Sequence, residues 1–130
     1  MRKKGFTLVE LLAVIVVLAI IAMIAIPQVL NVIEKSRKGS FKDSAIGLMD
    51  SAKMYYAPYA GTEVEFNLGD EETLNLFNFK GTKPNGGLLY ISEEGLIAIK
   101  MYNNKYCAYK KITDADVTVI TGNCSDIEIK

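Results

Sequence analysis

Between Phe6 and Ile26 the chain carries a single charged side chain, Glu10. As a helix this run of about 21 residues is roughly 31 Å long, at ~1.5 Å per residue. A bilayer's hydrocarbon core is about 30 Å thick, so the run is long enough to span it. No other stretch constrains the fold so strongly, because a segment this apolar must be covered by lipid or by protein. Arg2, Lys3 and Lys4 precede it. Their charge predicts a cytoplasmic N-terminus, with the rest of the chain on the far side of the membrane.

Glu10 conflicts with its surroundings. A carboxylate in a membrane helix costs ~2.5–3.5 kcal/mol at mid-helix and calls for a partner. No Lys, Arg or His lies between Phe6 and Glu34. A free amine on Phe6 would lie one helical turn from Glu10, or near the Glu10 of a neighbouring chain. That amine exists only if the chain is cut between Gly5 and Phe6.

A short basic leader ending in Gly5, then Phe6-Thr7-Leu8-Val9-Glu10-Leu11-Leu12, then an unbroken apolar segment, resembles the type IV pilins and pseudopilins. Pro27 also matches, since the family often has a proline near the end of this segment. The motif resemblance covers about residues 1–30; beyond that it is architectural. It implies cleavage after Gly5 by a membrane prepilin peptidase, N-methylation of Phe6, and assembly of the apolar helices into a filament core. In a subunit docking into such a filament, Glu10 would neutralise the Phe6 amine of an adjacent subunit; a pair with the Phe6 amine of its own chain is the alternative. Competing readings explain less. A secretory signal has a core of ~7–15 residues and an A-x-A-like site; this run is longer and holds no Ala-x-Ala. A lipoprotein would need a cysteine near the N-terminus. A plain membrane anchor leaves Glu10 and the Gly5–Phe6 junction unexplained.

Pro27 removes a backbone donor and predicts a kink. Beyond it, Val29, Val32, Ile33, Phe41, Ala45, Leu48, Met49, Ala52, Tyr55, Tyr56 and Tyr59 recur mostly at three- and four-residue steps, with Lys35, Arg37, Lys38, Lys42 and Asp43 among the intervening positions. This is an amphipathic helix with its stripe turned to an intrachain core, ending near Pro58 and Gly61. Glu63, Glu65, Asp70, Glu71 and Glu72 mark a connecting region. Its apolar patch, Leu74 to Phe79, suits a short helix or a strand.

After the Lys83-Pro84-Asn85-Gly86-Gly87 turn the period changes to two. Strands are predicted at Leu88–Ile91, Leu96–Tyr102 and Lys105–Lys111, with a fourth near Val117–Ile120. A two-residue Asn103-Asn104 loop would set Tyr102 opposite Lys105 and Met101 opposite Tyr106. Ile97, Ile99, Met101, Tyr106 and Ala108 then face the helix, and Cys107 faces away. Cys124 could cross the outer face and bond to Cys107, closing a loop of about 18 residues worth roughly 3 kcal/mol. An even cysteine pair in an exported domain favours this bond; free thiols in a reducing setting are the alternative. The family often has a disulfide-bounded C-terminal loop.

The expected architecture is therefore α+β and pilin-like, a long N-terminal helix packed on an antiparallel sheet of three to four strands. Its segments are a leader (1–5), a transmembrane or filament-core helix (6–27), an amphipathic helical half (28–60), a connecting region (61–86), and a sheet with a disulfide-bounded tail (87–130). Formal net charge is +0, so no polybasic field points to nucleic acid, whose binding is expected only of a competence-type pilin. With 0 His, and no phosphate loop or Cys-x-x-Cys, no enzyme activity is expected and no cofactor is required. Asp114, Asp116, Asn123, Asp126 and Glu128 supply oxygen ligands of the calcium type, at spacings that match no loop motif. The basic set Lys35, Arg37, Lys38 and Lys42 and the acidic set Glu63 to Glu72 read as solvated surface, with pairing between subunits as the alternative.

The function these readings predict is that of a structural filament subunit, serving adhesion or motility, DNA uptake or protein secretion. Its partners would be membrane lipid before assembly, the peptidase and assembly machinery, and other copies of itself. The competing prediction is a monomeric, single-pass, membrane-anchored extracytoplasmic binding module.

Overall fold

A computed structural model describes residues 5–130 of the chain. The expected basic leader charges Arg2, Lys3 and Lys4 lie outside the described residues. The helix α1 spans Leu8–Tyr56 and continues as one turn of 3-10 helix over Ala57–Tyr59. Its helical assignment is unbroken through Pro27. The chain divides into two compact units, with the boundary after Ser36.

The first unit is the apolar part of α1. It is long and apolar enough to cross a membrane, and none of its most apolar stretch is buried. Val29, Val32 and Ile33 are exposed as well. This corrects the expectation that the intrachain stripe begins just past Pro27. The stripe that finds a core starts at Phe41.

The second unit holds the rest of α1 and a five-stranded antiparallel sheet in sequence order: β1 Val64–Asn67, β2 Gly86–Ile91, β3 Ile97–Tyr102, β4 Tyr106–Lys110 and β5 Thr118–Thr121. The strand count exceeds the three to four expected. The added strand is β1, which lies in the stretch read as a connection and is followed by the short helix α2, Glu71–Leu76. Leu74 thus belongs to a helix that ends before Phe77.

The core follows from two periodicities meeting. Phe41, Ala45, Leu48, Met49, Ala52 and Tyr56 recur every three or four residues on α1 and are buried. Leu89, Ile91, Ile97, Ile99, Met101, Tyr106 and Ala108 alternate along β2, β3 and β4 and join the same cluster. Leu68, Leu74, Phe77 and Val117 complete it. Tyr56 at the end of α1 donates its hydroxyl to the Thr62 carbonyl and accepts from the Thr62 amide at 3.0 Å.

The β3–β4 register differs from the expected one. Tyr102 pairs with Cys107 and Met101 with Ala108, two residues away from the predicted partners. The Asn103 side chain is the reason. Its Oδ1 accepts from the Lys105 and Tyr106 amides at 2.8 and 2.7 Å, and its own amide donates to the Tyr106 carbonyl at 3.0 Å. Asn104-Lys105 becomes the loop. A slip of two preserves side-chain parity, so the inner and outer faces stay as predicted.

The outer face has its own cover. Tyr90, Ala98 and Ile129 form a second buried cluster with Leu88, Ile112 and Ile127 packed on it. The Ile112 amide donates to the Ile129 carbonyl at 2.9 Å, and Lys100 Nζ donates to the Ile127 carbonyl at 3.0 Å. The C-terminal tail is thereby laid across the sheet.

Candidate functional site

The N-terminal site is a short non-helical lead-in followed at once by α1. Gly5, Phe6 and Thr7 have no regular structure. Phe6 is 92% exposed, and a Cβ added at Gly5 would meet nothing within 4 Å. The Gly5–Phe6 peptide bond is therefore free of helical hydrogen bonds and unobstructed at its glycine side.

Thr7 and Glu10 are joined by two reciprocal hydrogen bonds. The Thr7 amide donates to Glu10 Oε2 at 3.1 Å, and the Glu10 amide donates to Thr7 Oγ1 at 3.2 Å. Since α1 starts at Leu8, Thr7 is the N-cap and Glu10 the third helical residue: a capping box. Two of the amides that a helix start leaves without intrahelical partners are satisfied this way. In a low-dielectric membrane each such amide would otherwise cost several kcal/mol. The Glu10 carboxylate also sits at the positive end of the helix dipole, which stabilises it there.

The assembly reading of Glu10 missed this intrachain role. The signal was present as Thr-x-x-Glu directly before an apolar run. The two roles are compatible. One carboxylate has two oxygens and about four acceptor positions, and the Thr7 amide occupies one. Cutting the Gly5–Phe6 bond would place a new ammonium one residue ahead of the cap, within reach of the same acid. Pro27 lies within α1, with helix on both sides.

At the far end of the chain Cys107 and Cys124 are bonded, with Cα atoms 6.0 Å apart. Both are buried. Cys107 points to the outer face of β4, where its strand neighbour on β5 is Ile120. The bond carries the chain back over β5 and fixes the start of the tail.

The acidic C-terminal residues do not converge. Asp114 accepts from the Lys111 amide, Asn123 from the Ser125 amide, and Asp116 from Lys42 Nζ at 2.5 Å. Among the described residues no three or more His, Cys, Asp or Glu side chains cluster in a way that could hold a metal ion. The hydrogen bond from Lys42, together with that from the Val117 amide, holds the Asp116 carboxyl below the usual carboxylate range. Of the charged sets considered for pairing between subunits, Lys42 finds Asp116 and Glu65 finds Lys130 within the chain.

Comparison with known proteins singles out the same end of the chain. The family model for the prokaryotic N-terminal methylation motif matches residues 1–26. No curated protein and no solved structure matches the chain. Residues 1–26 thus carry the prepilin signature of type IV pilins and pseudopilins, on an α+β framework of one long apolar helix and a five-stranded antiparallel sheet.

Proposed function

We propose that this chain is the structural subunit of a type IV pilus or pilus-like filament. It is inserted in the cytoplasmic membrane as a prepilin with its N-terminus inside, and a membrane peptidase cuts it after Gly5. Phe6 is N-methylated, and the apolar half of α1 then leaves lipid for a bundle of identical helices. The observation that carries this reading is the methylation motif, set on a helix whose apolar surface has no intrachain cover. Moving that surface from lipid into a helix bundle keeps it out of water throughout, so the exchange costs little hydrophobic free energy. The repeated contact is head-to-tail and does not close, so it propagates.

Glu10 sets the axial register. Two unit charges ~4 Å apart attract by about 4 kcal/mol at an effective dielectric of ~20. A subunit docked one step out of place would leave both charges unpaired in an apolar bundle.

The testing measurement is the intact mass of the protein taken without reduction from its native membrane. A chain beginning at Phe6, with one added methyl group and two hydrogens lost at Cys107 and Cys124, is expected. A mass that retains residues 1–5, in cells with an active prepilin peptidase, would reject the filament reading and leave a membrane-anchored monomer.

A further inference from the structure

The outer face of the sheet carries a groove of about 490 Å³ that the filament reading does not use. Glycines form its floor. Gly87 has a φ of +146°, and a Cβ there would run into the Lys100 carbonyl of β3. At Gly86 a Cβ would meet the Tyr102 hydroxyl at 2.5 Å. At both positions the place of a side chain is already filled, by the β3 backbone at Gly87 and by the Tyr102 ring at Gly86, so only glycine lets β3 and Tyr102 lie this close to β2. A second hollow shares Leu88, Lys100 and Ser125 with it and extends it along the tail.

Three side-chain amides line the groove, and each is fixed at one end. Asn67 Oδ1 accepts from the Gly69 amide at 2.9 Å, and Asn123 Oδ1 accepts from the Ser125 amide at 3.1 Å. Asn85 Nδ2 donates to Asn104 Oδ1 at 2.7 Å. The opposite ends have no protein partner among the described residues. They are two NH2 groups and one carbonyl oxygen, held in place before any ligand arrives. Tyr102, 39% exposed as a residue, adds an aromatic ring that lies over Gly86.

The chemistry of the lining selects a ligand class. Glu128 and Lys130 stand only on the extension along the tail; the main hollow has no carboxylate in its lining. Its one cation, Lys100, donates to the carbonyls of Ser125 and Ile127 at 3.3 and 3.0 Å, so that charge is already directed at carbonyl oxygens. The floor's backbone groups belong to the β2–β3 ladder, which runs from Gly86–Tyr102 to Ile91–Ile97. A peptide therefore cannot add here as a strand. Uncharged donors and acceptors beside an aromatic ring suit a neutral ligand with many hydroxyls and an apolar ring face.

We propose that this groove binds a neutral oligosaccharide. Tyr102 stacks on a sugar ring while Asn67, Asn85 and Asn123 hydrogen-bond its hydroxyls. The site belongs to the single chain and does not depend on polymerisation. In a filament its repetition would raise the avidity for a polysaccharide by as much as about 10²–10⁴.

The test is NMR titration of full-length, disulfide-intact protein in detergent micelles. The probes are chitotetraose, cellotetraose and maltotetraose, with trigalacturonate as an anionic control. At least one neutral tetrasaccharide is expected to shift the side-chain amide signals of Asn67, Asn85 and Asn123. Tyr102→Ala is expected to weaken that binding about tenfold, and Tyr102→Phe, which keeps the ring, by no more than about twofold. If Tyr102→Ala disturbs the backbone spectrum, Asn123→Ala on the groove wall replaces it and should weaken binding severalfold. The proposal is overturned if no neutral probe shifts these amides at about 10 mM, if trigalacturonate binds in preference, if the shifts map elsewhere, or if a folded Tyr102→Ala binds unchanged.

Discussion

Two stretches of the same helix treat their apolar residues in opposite ways. Leu18 and Ile21, in the first unit, are 57% and 56% exposed, whereas Leu48, in the second, is 0% exposed. Their secondary structure and side-chain chemistry are alike. The second stretch is covered because a sheet with alternating apolar residues lies in the same unit. The first has only apolar neighbours on its own helix, all round its circumference. A helix that is apolar on one stripe solves its burial within the chain, and one that is apolar all round must find lipid or other copies. The second stretch thus carries the stability of its unit, and on the proposed function the first carries location and assembly.

The largest expected effect tests the assembly half. Glu10→Leu should leave cleavage after Gly5 largely intact and abolish most filament yield, read from sheared-filament blots beside the membrane pool. Normal yield would remove Glu10 from the assembly step. Thr7→Ala is a useful companion, because it breaks the cap and keeps the acid.

Truncation at matched positions sharpens the contrast. Leu48→Ala should destabilise the second unit by about 2–5 kcal/mol, since it leaves a cavity in a packed core. Leu18→Ala should leave the melting transition of that unit unchanged. Equal effects on the melt would refute the division of labour. Next in size is the disulfide. Replacing Cys107 and Cys124 by Ser should cost about 3 kcal/mol in the chain-entropy model, seen in denaturant melts, with no change in membrane insertion.

The smallest effect is electrostatic. The Asp116 carboxyl titrates lower in the folded chain than in the unfolded one because Lys42 donates to it. Its contribution is therefore complete above the ordinary carboxylate value of about 4 and is lost as the pH falls through the lowered folded value. Lys42→Met should flatten the acid limb of a stability–pH curve in that window and leave neutral-pH behaviour nearly unchanged, because the pair is exposed and screened.

How far each feature could be read in advance depended on how local its cause is. The cleavage junction, Glu10 and the apolar run are contiguous, so their spacing alone carried them. The capping box was equally local and was overlooked because the charge problem at Glu10 suggested a distant partner. β1 was harder. Val64-Glu65-Phe66-Asn67 is an edge strand with two apolar residues, and its acidic neighbours read as a loop. The β3–β4 register turned on a single side chain, Asn103, taking two amides that a backbone turn would otherwise use. Nothing in the periodicity of residues 29–33 separated them from residues 41–56, because the difference lies in what the rest of the chain supplies as cover. The groove depends on glycines of β2 meeting residues of β3 and the tail, so it appears only once the strands are paired.

The order of the sheet has a consequence for biogenesis. Each strand pairs with the one just before it in the chain, so the sheet is a continuous meander. Short-range pairings of this kind close with little loss of chain entropy and form quickly. In the proposed topology the N-terminus stays inside and the chain beyond the apolar part of α1 crosses the membrane with β1 leading, so the sheet can zip one strand at a time as each emerges. Cys107 would then be seated in β4 before Cys124 arrives, so the late oxidation would lock a sheet already built rather than help to choose it.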